Sequence, residues 1–136
     1  MKKRGQVAVE YLGTMAFLLV VITILSAFAY TTYFDTIKHR MLDDSLNSLS
    51  ETVNQAYSLG KGTVLFVRIN LPDGVTDSNA SGRHVGFTFV ASAGSSEYWN
   101  AVDANVFGAL PTSAGPHIIK VEYADQNVVL SEYLGD

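Results

Sequence analysis

The chain has 136 residues, enough for one small domain and one long additional element. It has no cysteine, which excludes disulfides and zinc–thiolate sites. Its net charge is −4, and its basic residues supply no positively charged face, so we expect no nucleic-acid partner. His39, His84 and His117 show no metal-binding spacing, and no nucleotide-binding glycine loop or Gly-x-Ser-x-Gly sequence occurs. We therefore expect neither catalysis nor a cofactor.

The N-terminal region begins with Lys2, Lys3 and Arg4, followed by Gly5 and an acid at Glu10. Residues 11–34 then form 24 consecutive positions without a charge, long enough to cross a bilayer with some tilt. Basic residues flanking such a span favour the cytoplasmic side of the membrane. The sequence therefore predicts a single-pass segment with a cytoplasmic N-terminus and an extracytoplasmic remainder.

A helical pattern continues beyond this apolar run. Residues 6–59 contain no proline and a single glycine, Gly13. After Asp35 the sequence becomes amphipathic, with apolar residues at steps of three and four that form one stripe: Ile37, Met41, Leu42, Leu46, Leu49, Val53, Ala56 and Tyr57. The pattern predicts one helix from Gln6 to Leu59, ending at a left-handed cap on Gly60.

The remaining residues, 60–136, predict four to six short antiparallel strands. Alternation favours a strand at 63–71, with Leu65, Val67, Ile69 and Leu71 on one face, and a second strand with Val85, Phe87, Phe89 and Ala91 inward. Residues 77–82 and 91–96 are predicted as loops, 105–110 as a strand, and 117–123 with 127–133 as a hairpin.

A sheet this small needs cover for its apolar face, and the stripe from Ile37 to Tyr57 can supply it. The predicted fold class is therefore α+β: a long N-terminal helix packed on a small antiparallel sheet. Its parts are a basic leader (1–5), an apolar transmembrane or core helix (6–34), an amphipathic continuation (35–59) and a β domain (60–136).

Glu10 stands one residue before the apolar run, where two interpretations apply. In the first it is an interfacial acid near the cytoplasmic headgroups, where its cost is modest. In the second the chain is cut between Gly5 and Gln6, and the new amine of one subunit meets Glu10 of a staggered neighbour, because a carboxylate within a membrane requires an opposite charge. The cut would leave six basic against 13 acidic residues, a net charge of −7.

The residues from Lys3 to Leu12, KRGQVAVEYL, resemble the class III signal peptide of archaeal type IV pilins. In that family a basic leader ends in Gly or Ala, a prepilin peptidase cuts before a Gln, and Glu is the fifth mature residue. Gly5, Gln6 and Glu10 match these positions. Ala8 and Thr14 depart from the Ser and Leu that are often third and ninth in the mature archaeal proteins.

The resemblance implies a filament subunit. The helix anchors the precursor in the cell membrane, and prepilin peptidase removes the leader by recognising Gly5 and Gln6. An assembly ATPase and a membrane platform protein then extract subunits, whose helices form the core of a homo-oligomeric extracellular filament with Glu10 aiding assembly. The β domains coat the outside, which suggests adhesion. Asn79-Ala80-Ser81 is also a glycosylation sequon in a region expected to be extracytoplasmic.

Two alternatives remain open from the sequence. An ordinary secretory signal could be cut after Ala27-Phe28-Ala29, although Glu10 interrupts the usual order of such signals. The chain could instead be a single-pass protein whose β domain binds a surface ligand without assembling. The start of the mature chain distinguishes these cases: Gln6 for a pilin, Tyr30 for a secreted domain, Met1 for a plain anchor.

Overall fold

The computed structural model describes residues 2–135. This part of the chain contains one helix and five strands, joined by turns and short connections. Their bounds, in chain order, are α1 Lys2–Leu59, β1 Val64–Leu71, β2 Val75–Ala91, β3 Gly94–Gly108, β4 Gly115–Ala124 and β5 Asn127–Glu132. The strands form one sheet in the order β1-β4-β5-β3-β2. All neighbours are antiparallel except β3 and β5, which are parallel. The predicted α+β class is confirmed.

Helix α1 ends as the sequence predicts. Leu59 is its last residue, and Gly60 follows with a φ of 99°, a conformation that costs glycine little. The amide of Thr63 donates to the carbonyl of Gly60, and the amide of Gly62 donates to the carbonyl of Tyr123 on β4. The cap therefore connects the end of the helix directly to the sheet.

The chain divides into two compact units between Thr36 and Ile37, within α1. The first unit is the N-terminal part of the helix. The second contains the rest of α1 and the whole sheet, and it has its own core. The predicted boundary between the apolar and amphipathic parts, at residues 34 and 35, lies two residues away from this division.

The amphipathic part of α1 covers one face of the sheet. Its buried apolar side chains belong to the same core cluster as the inward residues of all five strands. The cluster includes Leu42, Leu46, Leu49, Val53 and Ala56 from the helix, and Ile69, Leu71, Val85, Phe87, Phe89, Val106, Ile119, Val121, Val128 and Leu130 from the strands. The predicted stripe is confirmed from Leu42 to Ala56, whereas Ile37 and Met41 at its start are half-buried and Tyr57 at its end is exposed. The inward faces of the first two strands are also confirmed.

Polar residues of α1 also bind the sheet, which the stripe alone does not predict. Ser45 is buried, and its hydroxyl donates to the carbonyl of Asn70 and accepts from the amide of the same residue, at 2.8 and 3.1 Å. Because β1 is an edge strand, Ser45 satisfies backbone groups that no strand pairs. Asn54 likewise accepts from the amide of Asp103 on β3 at 2.9 Å.

An ion pair joins the first turn of this part of α1 to the turn after β1. Lys38 Nζ lies 3.0 Å from a carboxylate oxygen of Asp73. The hydrogen bond from Lys38, and then its charge, lower the pKa of Asp73 below its ordinary value of 3.8. Asp73 is well exposed, so water screens the pair.

The structure corrects three predictions in the β region. Residues 77–82, predicted as a polar loop, belong to β2, where Ser81 pairs with Phe107. Residues 94–96, predicted as loop, begin β3, which includes residues 105–108 of the predicted third strand and ends two residues before its predicted end. The third correction concerns strand direction: the strands were predicted to be antiparallel, but β5 pairs in parallel with β3. The β4–β5 hairpin and its tip are confirmed, with a turn at Asp125 and Gln126.

Strand β2 is 17 residues long and turns back toward its own start. Its pairing with β3 shifts register between Gly82 and His84, and Gly82 has a φ of 61°. The beginning of β2 consequently returns beside its end: the amide of Val90 donates to the carbonyl of Gly74 at 2.9 Å. This bend places residues 77–79 next to the second half of the strand.

Candidate functional site

The three predicted processing and assembly residues lie on one stretch of α1. Gly5, Gln6 and Glu10 are all helical and exposed. A Cβ added at Gly5 would meet nothing within 4 Å, so no steric demand of the fold explains a glycine there. Gln6 and Glu10 are four residues apart, a spacing that places two side chains on the same face of a helix.

The following segment of α1 leaves its apolar side chains exposed on every side. Residues 3–34 are exposed apart from the half-buried Val21. Side chains as large as Phe17, Leu19 and Phe28 are 67–72% exposed. Within the described part of the chain, this is the one helix that is long and apolar enough to cross a membrane. Such a surface requires lipid or other apolar helices around it.

The polar side chains within this segment are largely satisfied by the helix itself. Each of its four threonine hydroxyls, at Thr14, Thr23, Thr31 and Thr32, donates to a backbone carbonyl three or four residues earlier, at 2.8–3.0 Å. Thr36, just beyond the segment, does the same at 2.8 Å. A hydroxyl bonded in this way carries little desolvation cost in an apolar environment. These threonines therefore do not oppose insertion in lipid or burial among helices.

Asn79, the predicted glycosylation acceptor, lies in strand β2 rather than in a loop. Its side chain is exposed, and its Oδ1 accepts a hydrogen bond from the Ser81 hydroxyl at 2.8 Å. The two polar residues of the sequon thus contact each other. Asn79 also lines a pocket formed by β2 and β3.

Two histidines have specific partners that sequence analysis did not predict. The Tyr98 hydroxyl and Nδ1 of His39 form a hydrogen bond, and the His39 ring also contacts Phe89 edge-on. His117 Nδ1 lies 2.6 Å from Oε1 of Glu132, and its Nε2 lies 2.9 Å from the carbonyl of Ser113. The predicted β4–β5 hairpin could have suggested the second pair, because it brings Glu132 beside Ile119. No group of three or more metal-binding side chains occurs in residues 2–135.

Comparisons with protein-family models, with curated proteins and with solved structures found no match to this chain. Its own residues therefore carry the functional argument. In outline, a long N-terminal apolar helix combined with a small β-sheet is a pilin-like architecture.

Proposed function

We propose that this chain is the precursor of a structural subunit of a type IV pilus-like surface filament. In this proposal the N-terminus is cytoplasmic and a prepilin peptidase cuts between Gly5 and Gln6. The apolar part of α1 first anchors the subunit in the membrane and then packs with its counterparts in the filament core. An assembly ATPase and a membrane platform protein drive that transfer, and the β domains face outward for adhesion to surfaces or other cells.

The exposed apolar segment of α1 is the observation that carries this proposal. A removable secretory signal would have no further role after cleavage, whereas here the apolar segment and the stripe that covers the sheet belong to one helix. A cut before Tyr30 would also leave Tyr30, Tyr33 and Phe34 exposed near the new end, with ring contacts to one another. If residues 6–34 are retained in the mature chain, their exposed apolar side chains can pack against the same segment of other subunits.

Processing can be tested by the intact mass of the chain from cells that contain the peptidase. We expect the mature chain to begin at Gln6. Gly5→Leu should block the cut and Gly5→Ala should permit it, because the resembling leaders end in Gly or Ala. The fold should tolerate both, since nothing lies near a Cβ at Gly5. Gly13→Leu is the matched control, because Gly13 is equally open.

A mature chain that begins at Tyr30 would identify a secreted domain instead. A chain that keeps Met1 in cells with an active peptidase would contradict the pilin mechanism and favour a plain membrane anchor. That second candidate, an unassembled anchored domain that binds a ligand, is favoured by the pocket between β2 and β3.

The role of Glu10 is a separate prediction. If Glu10 pairs with the amine of Gln6 on a neighbouring subunit, Glu10→Ala should leave cleavage and membrane insertion intact but reduce the number of filaments in electron micrographs. Glu51→Ala removes an exposed acid from the sheet-covering part of α1 and should leave the yield unchanged. A normal filament yield from Glu10→Ala would show that assembly does not need the charge.

A further inference from the structure

A pocket of about 330 Å³ lies between β2 and β3, on the face of the sheet opposite the helix. Residues 84, 86 and 88 of β2 form one wall, paired with residues 101, 99 and 97 of β3. Since Val85, Phe87 and Phe89 point into the core, the alternate positions point away from it. The bend in β2 adds residues 77–79 as a second wall.

An exposed tryptophan is among the aromatic residues that line this pocket. Trp99, the single tryptophan of the chain, is 61% exposed although it is the largest side chain available for a core. His84 contacts its ring edge-on, with 5.3 Å between the ring centroids. The neighbouring strand position is Gly86, where a Cβ would lie 2.7 Å from the Tyr98 carbonyl oxygen and 3.1 Å from Trp99 Cβ. Glycine therefore lets β2 approach β3 closely beside Trp99 and keeps side-chain volume out of the pocket.

The charged lining residues of the pocket are both acidic. Asp77 and Glu97 line it, and neither lysine nor arginine is among its lining residues. One carboxylate oxygen of Asp77 accepts from the amide of Ser78 at 2.8 Å. The Glu97 carboxylate has no hydrogen bond or ion pair with any residue between 2 and 135. It is therefore available to a ligand.

Glu97 and Trp99 are close enough to act on one ligand group. They lie two residues apart on β3 and on the same face, so their backbone positions are roughly 7 Å apart. A cation within about 6 Å of the Trp99 ring centroid is attracted by the ring face, and from there it is within reach of the Glu97 carboxylate. Asp77 adds a second negative charge on the opposite wall.

We propose that this pocket binds a positively charged amine or guanidinium group, held between the Trp99 ring and the carboxylates of Glu97 and Asp77. Such a group is present on lysine and arginine side chains and on small polyamines. An aromatic face with nearby carboxylates binds cations better than neutral molecules of the same shape, because both the ring and the acids attract positive charge. The proposal goes beyond filament formation and does not depend on it.

Fluorescence of Trp99 reports directly on binding, because no other tryptophan contributes. The full chain would be kept in micelles of an uncharged polyoxyethylene detergent, which has no sugar headgroup. The titrants are Nα-acetyl-lysine amide, Nα-acetyl-arginine amide and putrescine, at constant ionic strength set with NaCl. The neutral counterpart is Nα,Nε-diacetyl-lysine amide, and methyl α-glucopyranoside tests for a sugar site.

We expect saturable fluorescence changes with the cations and at least about threefold weaker binding of the neutral counterpart. Tighter binding of putrescine would identify a small-molecule ligand, and tighter binding of the amino-acid amides would identify a side chain of a partner protein. Glu97→Gln should weaken cation binding about threefold, while Glu51→Gln on α1 should not change it. The Trp99→Phe variant has no tryptophan fluorescence, so its binding is measured by saturation-transfer NMR. We expect a weaker saturation-transfer signal of the lysine amide with this variant than with the unchanged chain.

Equal responses to the lysine amide and its neutral counterpart would overturn the proposal. Binding of the glucoside alone would also overturn it and would assign the pocket to sugars. Circular dichroism establishes that each variant is folded before it is titrated. Unchanged cation affinity in a folded Glu97→Gln, Asp77→Asn double variant would contradict the role of the carboxylates.

Discussion

The two parts of helix α1 differ in whether their apolar side chains are exposed or buried. Up to Thr36 the helix exposes its leucine, valine and phenylalanine side chains on all sides. From Ile37 onward the helix buries a single apolar stripe against the sheet, from Leu42 to Ala56, and exposes most of its charged residues. The sheet of the same chain covers the apolar stripe of the amphipathic part. The exposed side chains of the apolar part need lipid or other apolar helices around them instead. One continuous helix therefore contains a part whose apolar side chains are covered by the sheet and a part whose apolar side chains stay exposed.

The largest expected effect comes from truncating the same residue type in each part. Leu49 is fully buried and Leu19 is 67% exposed. Leu49→Ala should reduce the free energy of unfolding of the β domain by about 2–5 kcal/mol, because it removes core contacts and leaves a cavity. Leu19→Ala should leave that free energy unchanged. Urea unfolding of the full chain in micelles, followed by Trp99 fluorescence, measures both; equal effects would contradict the division into two units.

Glycines give a second contrast between the regions. Gly108 has a φ of 146°, and a Cβ there would overlap the carbonyl oxygen of Leu130 on β5. Gly108→Ala should therefore cost about 1–3 kcal/mol of domain stability. A Cβ at Gly13 meets nothing, so Gly13→Ala should preserve domain stability and favour helix formation. The same urea assay tests this pair, and full stability of Gly108→Ala would show that the parallel β3–β5 contact can rearrange.

The smallest effect concerns the ion pair at the start of the sheet-covering part. Lys38 lowers the pKa of Asp73, so the pair stabilises the fold above the ordinary pKa of 3.8 and loses that contribution as pH falls through the lower native value. Lys38→Gln should move the Asp73 pKa back toward 3.8. NMR titration of the Asp73 carboxyl carbon measures the shift. An unchanged titration would mean that the pair does not form in solution.

The sequence was most informative where one physical requirement dominates. The stripe at 37–57, the Gly60 cap and the β4–β5 hairpin each follow from periodicity or turn chemistry, and the structure confirms them. Residues 77–82 were predicted wrongly because their polar composition is typical of a loop. They form part of an edge strand instead, where one face and one edge meet water and polar side chains cost little.

Long-range contacts were less accessible to sequence analysis. The parallel pairing of β3 with β5 joins residues more than twenty positions apart and leaves no local pattern. The hydrogen bond between His39 and Tyr98 and the pocket at Trp99 likewise depend on how β2 and β3 are placed. At the N-terminal junction the structure shows that Gly5, Gln6 and Glu10 are helical and exposed. Their roles in cleavage and assembly stay predictions.

The position of β5 has a consequence for how the domain is made. It is synthesised after the other four strands of the sheet, yet it lies at the centre of that sheet, between β4 and β3. Until it arrives, β1 with β4 and β2 with β3 are separate two-stranded pieces, and such pieces are marginal alone. The sheet can therefore close only after Glu132 has been synthesised, so the N-terminal helix can reach a membrane well before its own domain is folded.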